Sequence, residues 1–143
     1  IKAQSAFSDQ FPYLITSLES LGKLNHGLHN NHSKEVSMNR FRPNIVVEGL
    51  DNLEKMTGSD LSCDEGDYRF GLRKPCKRCK IVTINQDTAI AGKEPLKTLA
   101  KYRFKDNNVY FGQYLKLTES SNKLLQVGDQ LTVLCEKEDT FLI

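Results

Sequence analysis

Two cysteines stand three residues apart in a run of positive charge, Arg73-Lys74-Pro75-Cys76-Lys77-Arg78-Cys79-Lys80. Five of these eight residues are cationic. Fixed positive charge favours the thiolate of a neighbouring thiol. A thiolate is both a nucleophile and a soft-metal ligand. The same cations attract an anionic cofactor or substrate. The spacing fits three chemistries. Structural zinc needs four ligands, usually from a second cysteine pair or a histidine pair. His26, His29 and His32 are the candidates, but they fall on a polar, Asn-rich stretch and read as solvated surface residues. A thioredoxin-type redox pair would open a helix. Here the pair runs into the β-branched segment Ile81-Val82-Thr83-Ile84, which reads as a strand. The third chemistry is a single thiolate at a strand end that binds a metal or carries sulfur. An ordinary pair of strand-edge cysteines also fits, and spacing alone does not choose.

Two further groups could hold an anion. In Arg40-Phe41-Arg42-Pro43-Asn44, Arg42 is fixed before a rigid proline and lies two residues from an amide. A guanidinium fork suits phosphate or carboxylate, whereas a solvated loop with an ordinary ion pair is the alternative. Thr16-Ser17 stands near the start of an expected helix, where hydroxyls and free N–H groups either bind anions or simply cap. No Gly-rich phosphate loop, GxSxG or HExxH occurs.

The elements that must position these residues are short. Leu14, Leu18, Leu21, Leu24 and Leu28 predict a helix over 14–28, capped by Thr16 or Ser17, with a loop from His26 to Lys34. Phe41–Glu48 reads as a strand after Pro43, and 49–66 as turns with one short helix. Tyr68–Leu72 and Lys80–Asn85 read as short strands, and Leu96–Tyr102 as a helix opened by Pro95. Val109–Leu117 alternates as a strand. Gly128-Asp129 turns into a last strand through Leu131, Val133 and Cys135. The expected fold is therefore mainly β (α+β), a barrel with one substantial helix packed outside.

At 143 residues the chain is one domain with a core, 38% apolar and 27% charged. No apolar run reaches the roughly 18 residues of a membrane span, and no secretory segment is visible. A membrane partner is therefore not expected. The net charge of +2 names no partner, and aromatics are sparse around the basic block, so no nucleic-acid partner is expected. Without an export signal, the four cysteines read as free or ligand-bound thiols rather than disulfides. The first residue is Ile1, which suits a piece of a longer protein.

Taken together, Phe41-Arg42-Pro43-Asn44-Ile45-Val46-Val47, Pro75-Cys76-Lys77-Arg78-Cys79, Glu94-Pro95-Leu96-Lys97-Thr98-Leu99, Phe111-Gly112-Gln113-Tyr114 and Val127-Gly128-Asp129 resemble the MOSC domain. This is the molybdenum cofactor sulfurase C-terminal domain family. The resemblance is to the branch of the mitochondrial amidoxime-reducing component and its bacterial relatives, and covers about Phe7 to Leu134, with Phe11-Pro12 before Leu14-Ile15-Thr16-Ser17 resembling its first strand.

The resemblance implies a MOSC-type β-barrel that binds the molybdenum cofactor (molybdopterin). It implies Cys79 as the catalytic molybdenum ligand, with Cys76 as the alternative or neighbouring thiol. Arg42 and Asn44 match phosphate-holding residues, Thr16 and Ser17 match hydroxyl contacts, and Arg78 is a further cofactor contact. It also implies reduction of N-hydroxylated small molecules, with electrons from a donor protein or a fused ferredoxin-like domain. The alternative is a sulfur carrier that holds a persulfide for cofactor sulfuration. MOSC domains are also associated with a pyridoxal-phosphate sulfurase, but no lysine context here suggests pyridoxal phosphate binding by this chain. A bacterial source would imply a cytoplasmic location. The sequence departs from the branch in having no Trp, with Leu53-Glu54-Lys55-Met56 in that stretch. Asn85-Gln86-Asp87-Thr88-Ala89 replaces an Asp-Pro-Asp-Thr-Gly turn, and losing the Gly is expected to alter that loop. The N-terminal β-barrel half that accompanies MOSC in this branch is expected to lie outside this piece.

Overall fold

The computed structural model describes residues 13–63, 67–119 and 125–135. The Phe11-Pro12 resemblance lies outside them. The strands are β1 (Tyr13–Ser17), β2 (Ile45–Val47), β3 (Asp60–Cys63), β4 (Tyr68–Arg78), β5 (Phe104–Lys105), β6 (Asn108–Glu119) and β7 (Thr132–Cys135); the helices are α1 (Leu18–Asn30) and α2 (Leu96–Arg103). They form a seven-stranded sheet ordered β2-β1-β6-β4-β3-β7, with β5 added beside β6. The sheet is curled as a half-barrel, so the mainly β architecture expected from the sequence is what the chain adopts. β1 and β2 pair in parallel across α1, and the remaining pairs are antiparallel.

Two apolar clusters fill the fold. One gathers Leu24, Leu28, Phe41, Leu99 and Phe111 beneath the helices. The other gathers Ile15, Leu53, Leu61, Phe70, Leu72 and Leu115 against the sheet. Strand β6 feeds both, through Phe111 and Leu115.

Several local expectations are corrected. The leucine spacing over 14–28 suggested one helix, but Tyr13–Ser17 is a strand. Its residues 14–17 are all buried, so both faces of the strand are covered and the alternation that marks a half-exposed strand is missing. Ser17 is indeed the N-cap, accepting from the Ser20 N–H at 3.1 Å, and α1 runs past His26 to Asn30. Strand β2 is shorter than expected, because Met38–Phe41 is a 3-10 turn closed by Arg42 at φ +52°. A 3-10 turn at Leu53–Lys55 matches the expected short helix, but β3 was hidden in the polar stretch that follows it.

Strand β4 does not stop at Leu72. It continues through Pro75 to Arg78, with register shifts at Leu72/Lys74 and Pro75/Lys77. The Pro lacks a ladder donor, and such residues sit at irregularities. The expected strand at Lys80–Asn85 is a 3-10 turn over Lys80–Thr83. The Thr83 hydroxyl donates back to the Lys80 carbonyl at 2.6 Å and Ile81 faces solvent, so the β-branched run turns, and only Ile84 makes a single bridge, to Ala91. The helix after Pro95, the strand through Val109–Leu117 and the turn before β7 stand where they were expected.

Candidate functional site

Cys79 ends β4. Cys76 is buried at 2% exposure, Lys77 is exposed, Arg78 is half-buried and Cys79 is exposed, so side chains alternate across the strand end. The backbone at Cys79 is still extended, at φ −121° and ψ −175°. Three extended residues span about 10 Å. A disulfide needs Cα atoms within about 7 Å, so the two thiols are not a ready redox pair. Cys79 precedes only a four-residue 3-10 turn and caps it with no side-chain bond. The thioredoxin reading thus fails on geometry, although not for the strand reason expected from the sequence. His26, His29 and His32 are exposed along and just after the end of α1. No group of three or more potential metal ligands occurs among the described residues.

The cysteines nonetheless share an electrostatic neighbour. Arg78 donates Nε–H to the Phe111 carbonyl at 2.9 Å and Nη1–H to the Phe41 carbonyl at 3.0 Å. Its Cζ lies 5.3 Å from the Phe41 ring centroid, a cation–π arrangement. Its Nη2 is buried with no hydrogen-bond partner among the described residues. Burial lowers the guanidinium pKa from its usual range, and Cys76, Tyr114, Cys79 and Glu54 oppose that in decreasing order. An arginine remains a cation there. The Tyr114 hydroxyl is pushed up to about 12, first by its hydrogen bond to Cys76 and then by burial.

Arg42 follows Phe41 directly, so the Arg78–Phe41 bond ties the approach to Cys79 to the approach to Arg42. Two more bonds close the same seam: Arg40 Nη1–H to the Val82 carbonyl at 3.2 Å, and Gln86 Nε2–H to the Asn39 carbonyl at 2.7 Å. Between these segments lies an open cleft of about 820 Å³, lined by Arg42, Pro43, Val46, Ile81, Ile84 and Ala89 among others. Arg42 is exposed on its wall, and Cys79 stands one residue before the turn that forms the facing wall.

The other expected residues are placed differently. Asn44 is exposed and accepts the Leu14 N–H on its Oδ1 at 2.8 Å. Its Nδ2 donors have no partner among the described residues. Thr16 and Ser17 are wholly buried. Thr16 donates to Met38 Sδ at 3.2 Å, and Ser17 donates to Ser20 Oγ at 3.0 Å. Both hydroxyls face inward, one beneath the cleft-lining Met38 and one at the cap of α1.

Sequence reasoning passed over Tyr114 as a neighbour of the thiol, and over the wall formed by 81–89. Ala89 stands at φ +57°, a left-handed conformation that glycine adopts freely. Glu54, named only within a departure from the branch pattern, is fully buried against Arg103. Those two residues lie 49 positions apart, and no local pattern links them.

The MOSC domain family profile matches residues 2–132. The chain belongs to the MOSC domain family. Human mitochondrial amidoxime-reducing component 1 is 36% identical over 142 residues, which is 93% of this chain and 40% of that protein. Rat mitochondrial amidoxime-reducing component 2 is 37% identical over 133 residues, 87% of this chain and 37% of that protein. The molybdenum cofactor sulfurase of Aspergillus fumigatus is 34% identical over 128 residues, 79% of this chain and 15% of that protein. This MOSC domain therefore spans about two-fifths of its amidoxime-reducing relatives. By name, the first two relatives reduce amidoximes and the third is a sulfurase of the molybdenum cofactor. No helix among the described residues is long and apolar enough to cross a membrane.

Proposed function

We propose that this MOSC domain holds the molybdenum cofactor and reduces N-hydroxylated substrates, with Cys79 as the molybdenum ligand. The observation that carries the reading is the exposed Cys79 thiol one residue from the cleft turn, tied through Arg78 to the segment that presents Arg42. The donor set fits the group. A thiolate suits molybdenum, and a guanidinium fork with an amide donor suits the pterin phosphate. Cys79 would lose its Sγ proton on ligation. Arg42 and the Nδ2 group of Asn44 would hold the phosphate. Arg78, with its buried Nη2, would place a fixed positive charge beside the bound anion. Thr16 and Ser17, hydrogen-bonded inward, would fix the cleft floor and the α1 cap from beneath. When bound, the cofactor supplies two-electron reduction of the substrate N–O bond, with water as product. The electrons come from a donor protein, or from a fused ferredoxin-like domain. The span of the relatives supports a longer parent protein in which a further domain completes the pocket.

The test is metal analysis of the full-length protein from a host that makes the cofactor. Near-stoichiometric molybdenum and pterin are expected. Cys79→Ala should lower molybdenum content and amidoxime reduction at least tenfold, whereas Cys76→Ala should keep both. Retained metal in Cys79→Ala moves the ligand elsewhere, and stoichiometric zinc without pterin defeats the reading.

The similarity to a sulfurase favours a second reading in which Cys79 carries sulfur. Its thiolate would attack the terminal sulfur of a desulfurase persulfide, form the new S–S bond and release the desulfurase thiolate. Mass spectrometry would then find one added sulfur on Cys79 after incubation with a cysteine desulfurase and cysteine.

A further inference from the structure

One carboxylate is placed where three elements meet. Glu54 is wholly buried, and both its oxygens are engaged. Oε2 accepts from Arg103 Nη2 at 2.9 Å, a residue of α2 that is 4% exposed, and from Ser20 Oγ of α1 at 3.0 Å. Oε1 accepts the backbone N–H of Gly112 in β6 at 3.0 Å. The Glu54 carbonyl accepts from Gln113 Nε2 at 2.9 Å. Charge-assisted bonds of this kind are shorter and stronger than neutral ones.

The Gly112 bond reaches the site. Residues Pro75 and Lys77 of β4 pair with Gln113 and Tyr110 of β6, so β6 carries an extra residue opposite Cys76. Gly112 lies in that irregularity at φ +82°, with a substituent at its Cα blocked by the Ile15 carbonyl at 2.9 Å. Its N–H is held by Glu54, and β1 lies close against its Cα. The preceding carbonyl, that of Phe111, accepts Arg78 Nε–H, and the Phe111 ring stacks on Phe41 at 3.9 Å. Arg78 precedes Cys79 and Phe41 precedes Arg42. We propose that Glu54 is a positioning residue for the thiol–arginine site. Its carboxylate sets the β6 irregularity, whose neighbouring carbonyl holds Arg78 and so fixes Cys79 relative to Arg42. The inference rests on the reading that Cys79 and Arg42 are the working pair, but its test needs no cofactor.

The experiment follows alkylation of the full chain by iodoacetamide, residue by residue, by mass spectrometry under native conditions. Arg103→Met leaves Glu54 its bonds to Ser20 and Gly112. It should lower the denaturation midpoint yet keep Cys79 within twofold of the wild-type rate. Glu54→Met combined with Arg103→Met removes both buried charges and the Gly112 acceptor together. It should raise the Cys79 rate at least threefold and open the buried Cys76 to the reagent. A folded double variant with wild-type rates at both thiols overturns the proposal. Hydrogen exchange of the wild-type chain decides the matter without any variant: the Gly112 amide must be among the slowest in β6, and fast exchange there also overturns it. Loss of molybdenum binding by Cys79→Ala bears on the ligand assignment alone, so the two readings fail separately.

Discussion

Ala89 is a non-glycine residue in a backbone conformation that glycine adopts most readily. At φ +57° it occupies a left-handed conformation that costs a non-glycine residue about 1–2 kcal/mol. The turn is held by the Ala89 N–H to the Asn85 carbonyl at 2.7 Å, and by Asn85 Oδ1 accepting from Asp87 N–H at 2.9 Å. Ala89→Gly should therefore raise stability by about 0.5–1 kcal/mol after the entropy of the freer unfolded chain is counted. A denaturant midpoint that stays level or falls would show that the conformation is not kept in solution. At this scale the sequence revealed residue types but not their inequality. The Cys76–Cys79 spacing was plain. That one thiol is buried and the other exposed depends on how a strand with three register shifts presents its side chains, which no spacing records. The inward hydroxyls of Thr16 and Ser17 were equally hidden, because a capping serine and an anion-binding serine look alike until burial is known.

Among the elements, β6 is the least tolerant of change. Gly112→Ala places a methyl group against the Ile15 carbonyl and Thr16 Cγ2, at 2.9 and 3.0 Å, in a conformation that already disfavours a side chain. We expect a loss of more than about 2 kcal/mol, the range of overpacking plus backbone strain. Equilibrium urea unfolding would measure it, and a loss below about 0.5 kcal/mol would mean that β6 can shift away from β1 without penalty. Long amphipathic elements such as α1 and β6 were legible because their apolar periodicity extends over several turns or pleats. The errors fell where neighbours outweigh local pattern. β1 lacks alternation because both its faces are buried, β3 is four residues long, and Ile81–Ile84 has strand-forming residues but, among the described residues, pairs only through the single Ile84–Ala91 bridge.

At the scale of the whole molecule, mainly β class was readable from many short segments, whereas the order β2-β1-β6-β4-β3-β7 was not. Pairings between distant segments leave no local trace. The pH response also belongs to this scale. Tyr114 and Tyr102 are both pushed up to about 12, the first mainly by its bond to Cys76 and the second by burial. An unfolded tyrosine titrates near 10. The unfolded chain thus gives up these protons first. Their contribution is complete below about pH 10 and is lost as the pH rises towards about 12. Thermal midpoints across that window should fall for the wild type and fall less steeply for Tyr114→Phe. Parallel curves for the two proteins would count against the Tyr114 contribution.

The pairing of β1 with β6 joins Tyr13 to Leu115, near opposite ends of the described chain. On the ribosome, β1 is made first and must wait about 100 residues for this partner. At about 10 residues per second that is roughly ten seconds. Parallel pairing with β2 can form in the meantime, but it leaves the other edge of β1 open. The nascent chain therefore passes through a stage with an apolar strand edge exposed, which makes chaperone holding during synthesis more valuable to this protein than to one built from neighbouring hairpins.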